Sequence, residues 1–161
     1  MRPSRFRLCR DAKTVAAIAS VRARAATVIF FVDSLEYLRR GGRIGAASAL
    51  LGSALAIKPL LALSDGHINP IEKVRTSARA LTRLEELALR ALGAAGESGV
   101  DIAVHHLDSQ TRAGDLVDRL RKRVPPSTTV ILVELGAVVG AHVGPGTIAV
   151  AVSPRPDGGQ A

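Results

Sequence analysis

The sequence predicts one α/β domain of α+β character, with helices packed on a mixed or antiparallel sheet. Three observations carry that expectation. The length of 161 residues suits a single domain. Apolar residues make up 47% of the chain, which is globular rather than disordered. Stretches with helical periodicity alternate with short branched runs that read as strands, and one pair of runs is joined by hairpin chemistry.

The elements follow in chain order. Residues 1–10 read as a leader without periodicity, and the domain is expected over residues 11–154. From Asp11 to about Ala26 an alanine-rich stretch carrying Val15, Ile18 and Val21 predicts a helix, with the Asp11 carboxylate as its N-cap. Val28-Ile29-Phe30-Phe31-Val32 is a short apolar run of the buried-strand kind. Asp33-Ser34, followed by Glu36, predicts a helix start, and Gly41-Gly42 its end. A second helical stretch, rich in small residues, is expected from Gly45 to about Ile57, before Pro59.

Leu60–Leu63, the turn Ser64-Asp65-Gly66 and Ile68–Val74 form a hairpin pattern. Pro70 within the return strand predicts an edge position or a bulge. Thr76 or Ser77 caps a helix reaching about Leu92, with Leu81, Leu84, Ala88 and Leu92 as its buried stripe and Gly93–Gly99 as the loop after it. Val100–His105 reads as a strand, Asp108-Ser109 as a cap, and Ala113, Leu116, Val117 and Leu120 as the apolar face of the next helix. After the break at Pro125-Pro126 come a strand at Val130–Val133, a turn-rich connection from Gly136 to Gly146, and a last strand at Ile148–Val152. Residues 155–161 read as a disordered tail.

Composition narrows the function classes. The net charge of +8 invites a nucleic-acid reading, but only 2% of the residues are aromatic, which disfavours base-stacking platforms. The single cysteine, Cys9, excludes an internal disulfide and a multi-cysteine zinc site, and suits a cytoplasmic setting. The basic N-terminus lacks a continuous apolar run after it, so no signal peptide is expected. The longest uncharged stretch, Leu135–Pro154, is interrupted by glycines, His142 and Pro145, so no stable membrane insertion is expected either. His105 and His106 would point to opposite faces of a strand, which opposes shared metal ligation. No nucleophile motif, P-loop or dinucleotide fingerprint is present. No enzyme activity, no metal and no cofactor are expected.

Three places can carry chemistry. Around Gly41-Gly42-Arg43-Ile44, a guanidinium beside exposed backbone N–H groups suits a carboxylate or phosphate; a plain helix–turn–helix connection with solvated arginines is the competing reading. Gly140–Thr147 places His142 among Gly144, Pro145 and Gly146, a backbone-exposed loop suited to anions or simply a tight turn. Arg75, Arg79, Arg83 and Arg90, with the arginines from Arg112 to Arg123, read as solvated helix faces or as a docking surface.

Together these motifs resemble one family. Asp33-Ser34-Leu35-Glu36-Tyr37-Leu38 followed by Gly41-Gly42-Arg43-Ile44 is similar to the D-[ST]-L-x-x-L-x-x-G-G-R-I signature of DegV proteins. Leu51-Gly52, Ile57-Lys58-Pro59-Leu60-Leu61, Asp65-Gly66, Lys73-Val74-Arg75-Thr76 and His142-Val143-Gly144-Pro145-Gly146 follow in the family's order. The resemblance implies a fatty-acid-binding protein without catalytic machinery. Such proteins hold a long-chain fatty acid between two domains, and several present its carboxylate to a separate fatty acid kinase subunit. It further implies that this chain corresponds to the family's C-terminal half, without the N-terminal domain that supplies a carboxylate-binding Ser and Thr.

On that resemblance, Arg43 and His142, with Gly41, Gly42, Gly144 and Gly146, are expected near the head group. Leu50, Leu51, Leu55 and Ile57 could line an acyl channel or belong to the core. Arg75 is expected near the head group or at a partner surface. Two alternatives stay open: a split or non-functional remnant that needs a separate N-terminal domain, and a basic nucleic-acid-binding protein. A half-protein would also expose an apolar face and be prone to self-association.

Overall fold

The apolar run after Ala26 becomes the middle of a sheet. The computed structural model describes residues 11–50, 57–95 and 99–155. The expected leader, Leu51, Leu55 and the tail beyond Arg155 lie outside these residues. β1 (Thr27–Phe31) pairs antiparallel on one side with β2 (Lys58–Ser64) and on the other with β6 (Ile148–Pro154). β3 (His67–Val74) adds to β2, β4 (Val100–His106) to β6, and β5 (Thr129–Glu134) to β4. The order is β3-β2-β1-β6-β4-β5. β4 and β5 run parallel, joined by a crossover through α4 (Gln110–Arg121), as a parallel pair requires. The sheet is therefore mixed, as expected. β3 is an edge strand and also carries a bulge: Leu60 faces Glu72 while Leu61 faces Pro70, leaving Ile71 over. Both consequences expected of Pro70 occur.

Strand alternation sends one set of side chains to each face. On the first face Ile29, Phe31, Leu60, Ile102, Val104, Ile148 and Val150 pack against α3 (Ser77–Ala94) and α4. The helices contribute Leu81, Leu84 and Ala88 from α3 and Ala113, Leu116, Val117 and Leu120 from α4, the stripes read from the sequence. Thr76 caps α3, its Oγ1 accepting from Arg79 N at 3.2 Å. Glu85 of α3 is buried and accepts from Arg119 Nε and Arg123 Nη1 of the α4 region, each at 2.8 Å, which clamps the two helices together. Arg83 forks onto Glu72 of β3 at 2.6 Å and also pairs with Glu86. Many arginines that read as solvated faces are thus tied to carboxylates.

The second face has a smaller core. Phe30, Leu61 and Ala149 from the sheet and Val32 just after β1 meet Leu38 of α2 (Glu36–Arg40), Ala47 and Leu50 of a 3-10 helix at Gly45–Leu50, and Val143 of α5 (Ala137–Val143). Here the structure corrects two expectations. Gly45–Leu50 is a 3-10 helix, whereas an ordinary helix was expected from Gly45; Gly45 itself sits at φ +50. The expected turn-rich connection at Gly136–Gly146 contains helix α5; its buried Gly140 leaves room for Leu107, which a Cβ would meet at 3.2 Å, so tertiary packing overrides glycine's poor helix propensity. The helix start expected at Asp33-Ser34 occurs: Ser34 Oγ accepts from Glu36 N, the first residue of α2, at 3.2 Å, while the Asp33 carboxylate accepts from Lys58 Nζ at 3.0 Å.

α1 (Ala12–Ala25) is capped as expected, with Asp11 Oδ1 accepting from Thr14 N at 2.8 Å. It buries no residue, and Val15, Ile18 and Val21 stay exposed. Arg22 holds it to Asp101 of β4 at 2.9 Å and Ser153 of β6 at 3.1 Å, residues whose alternation puts them on the second face. Among the described residues no helix is long and apolar enough to cross a membrane.

Candidate functional site

The two segments singled out for anion chemistry meet on the second face. A cavity of about 320 Å³, open to solvent, lies between α5, the end of α2 and the tip of the β2–β3 hairpin. That volume is at the low end of small-molecule sites, roughly 300–1,000 Å³. Leu38, Leu63, Ile68, Val138, Val139 and Val143 make its walls apolar, and Gly42, Arg43, His67 and His142 supply its polar edge.

Arg43 reaches this edge through the local chain path. Arg39 and Arg40 bend back to Glu36, with contacts between 2.6 and 2.7 Å, and these bonds push the Glu36 carboxyl down to about 2. α2 then ends through Gly41, which stays right-handed, and Gly42, at φ +65. Arg43 follows, exposed, with Nη1 donating to Gly41 O at 3.1 Å. Gly45 brings the next segment close to the hairpin: a Cβ there would lie 2.8 Å from Ile68 O.

His142 sits in the last turn of α5. Its Nδ1 is buried, without a hydrogen-bond partner among the described residues, and a Cβ on Gly41 would collide with it. Gly41 is therefore the space that His142 occupies. The other ring nitrogen, Nε2, is the second group of this side chain that can donate or accept.

Gly144 and Gly146 do not line the cavity. At φ +76 and φ +83 they carry the chain away from α5, and side chains there would strike the Tyr37 ring and the Asp33 carboxylate. Thr147, buried, completes the α5 terminus by donating from Oγ1 to Val143 O at 3.1 Å and Gly144 O at 2.8 Å. This motif closes the end of α5, the helix that carries His142. Leu50 is in the smaller core and Ile57 is half-buried; neither is at the cavity wall. Arg75 is exposed beyond the far end of β3 from His67, about 26 Å along the strand at 3.3 Å per residue, so it is not brought to Arg43 and His142.

Sequence reasoning missed His67, Leu63, Ile68, Val138 and Val139. The hairpin was read correctly, but nothing in its local pattern says that its tip closes a cavity with α5. Among the described residues no group of three or more His, Cys, Asp and Glu could hold a metal ion. His105, on β4, has its pKa lowered by burial.

Comparison with known proteins now bears on this geometry. The profile of the DegV family, described as uncharacterised proteins, matches residues 10–155. The chain belongs to the DegV family. A DegV domain-containing protein of Streptomyces coelicolor is 57% identical over 137 residues, covering 85% of this chain and 48% of that protein. The crystal structure of a fatty acid binding DegV family protein from Streptococcus agalactiae superposes with a TM-score of 0.77 at 30% identity, over 91% of this chain and 50% of that one. DegV of Bacillus subtilis, a fatty acid binding protein, gives 0.74 at 28% identity, over 90% of this chain and 50% of its own. The chain thus spans about half the length of these DegV relatives, and the mixed sheet with its packed helices is the DegV fold.

Proposed function

We propose that this chain is a lipid-binding module that holds the carboxylate of a long-chain fatty acid at the edge of the α2–α5 cavity. The observation that carries the reading is that Arg43 and His142, far apart in sequence, border one apolar cavity with His67. Arg43 supplies a charge-assisted hydrogen bond and His142 a second donor or acceptor through Nε2. The apolar walls take the start of the acyl chain, which gains about 0.8 kcal/mol for each buried CH₂. The fatty-acid-binding relatives of known structure support the ligand class.

The chain does no chemistry in this reading. It corresponds to the C-terminal half of the DegV architecture, acting in the cytoplasm, and its fatty acid site is completed by a second domain. Exposed Val15, Ile18, Ile131, Val133, Val138 and Val139 support a covering partner, either that domain or, in its absence, a second copy. A fatty acid kinase subunit is the proposed recipient of the head group, and Arg75 stands away from the cavity as a docking cation for it.

Native mass spectrometry after incubation with palmitate or oleate tests the binding. The expected result is a retained acyl ligand, reduced at least about tenfold in affinity by Arg43→Ala, the loss of one charge-assisted bond. Retention only after a DegV N-terminal domain is added supports the split arrangement. No retention in either form, with the protein folded by circular dichroism, overturns the reading.

A further inference from the structure

The two edges of the sheet are finished differently. β3 ends it on one side with Pro70, a bulge and Lys73, devices that keep an edge from pairing. β5 ends it on the other side, and among the described residues no strand lies beyond it. β5 holds no proline, lysine or register shift. Ile131, Leu132 and Val133 are exposed at 48%, 36% and 37%, on both faces of this one strand. Such an edge is a template for another strand.

The phase of its free hydrogen-bonding groups follows from two bonds. Leu135 N donates to His106 O at 2.8 Å, so the odd-numbered residues of this stretch turn their amides toward β4. Val130, Leu132 and Glu134 therefore turn theirs outward. Arg121 Nη2 of α4 agrees with this phase: it donates to Val130 O at 3.0 Å, a carbonyl that β4 leaves free.

One antiparallel register of β5 on a second β5 pairs all three outward residues. Leu132 then faces Leu132 of the second copy, and Val130 faces Glu134 of the second copy on either side of a two-fold axis. Ile131 falls opposite Val133 of the second copy, so each exposed apolar residue meets another. The register also joins charges that a single chain keeps apart. Arg121 is held at Val130, and Glu134 lies four residues further along β5, about 13 Å at 3.3 Å per residue. Val130 belongs to the core on the α4 side, and alternation puts Glu134 on that side too. Glu134 of the second copy therefore comes beside Arg121, whose own pair with Asp118 is long at 3.8 Å. The helices leave room for this. α4 packs on both β4 and β5, so about two strand spacings, near 10 Å, separate it from its copy, the distance of packed helices. Gly114 lies two turns before Arg121 on the same side of α4, and a Cβ there would meet nothing within 4 Å.

We propose that β5 is a self-association edge, on which a second copy of this chain lays its own β5 antiparallel and joins the two six-stranded sheets into one. The backbone bonds give the affinity, and the two Arg121–Glu134 pairs fix the register.

Sedimentation equilibrium on the full chain tests this without any ligand. The expected result is a reversible monomer–dimer equilibrium. Leu132→Lys places like charges at the two-fold axis and is expected to weaken the dimer at least about tenfold. Arg121→Glu and Glu134→Arg are each expected to weaken it about tenfold, because every dimer loses two ion pairs and gains two repulsions. The double variant Arg121→Glu with Glu134→Arg is expected to regain wild-type association, which only a contact between copies explains. A monomer at every soluble concentration overturns the proposal. A dimer that Leu132→Lys leaves intact, with circular dichroism showing the variant folded, also overturns it, as does a folded double variant that regains nothing. β5 lines no part of the fatty acid cavity, so failure of either reading leaves the other standing.

Discussion

The two faces of the sheet are built from the same strands and finished differently. On the first face α3 and α4 cover the strands with long apolar stripes, and the Glu85–Arg119–Arg123 cluster locks the helices to each other. On the second face short helical pieces cover only part of the sheet, and α1 is held by a polar tether while its valines and isoleucine stay in solvent. The first face makes the domain stable. The second carries Arg43, His142 and an open cavity, and leaves apolar surface for another body to cover. The closed core and the proposed fatty acid cavity thus lie on opposite sides of one sheet.

The largest effect is expected in the closed core. Leu116→Ala removes a fully buried side chain between α4 and the sheet and is expected to cost about 2–5 kcal/mol in urea unfolding. Leu38→Ala, equally buried on the second face, should fall at the lower end of that range, because the site beside the cavity can relax. Equal losses from the two variants would break the comparison.

Next comes the turn that ends α5. Gly144→Ala forces a side chain into the Tyr37 ring at φ +76, and backbone strain alone costs about 1–3 kcal/mol. Thermal unfolding should show the loss, and fatty acid affinity should fall with it as α5 shifts. A stable variant with unchanged affinity would separate this motif from the site.

Acid sharpens the contrast by acting on the tether of α1. Bonds from Arg155, and then from Arg22, hold the Asp101 carboxyl below its ordinary value of 3.8. A depressed carboxyl contributes stability that is whole above that value and is lost as the pH falls below it. Hydrogen exchange between about pH 5 and pH 2 should therefore show α1 opening before α3 and α4. Simultaneous opening would mean that α1 is held by more than Asp101.

The smallest effect on stability belongs to the open side. Val138 is 81% exposed, so Val138→Ser should change unfolding by less than about 0.5 kcal/mol. On the proposal that a second copy can cover this side, sedimentation should show weaker self-association, because the variant removes exposed apolar surface. Unchanged association would place the contact elsewhere.

Much of this was legible before any coordinates. The stripes of α3 and α4, the Asp11 and Thr76 caps, the hairpin and the double consequence of Pro70 all follow from rules acting within a few residues. The ordered motifs also placed the chain among DegV proteins and picked out Arg43 and His142. Where local rules failed, a distant partner had decided the outcome. Gly140 of α5 packs against Leu107, and Arg112 takes the Ser109 hydroxyl.

By itself, then, the sequence determined most of the elements, the helices packed on a mixed or antiparallel sheet, and the family, because periodicity, capping and turn chemistry are short-range. Only the tertiary structure decided that Gly41 makes room for His142, that the hairpin tip closes the cavity beside Arg43, and that Arg75 stands apart. Those outcomes depend on strand order and register, which bring distant residues into contact and which no window of sequence contains.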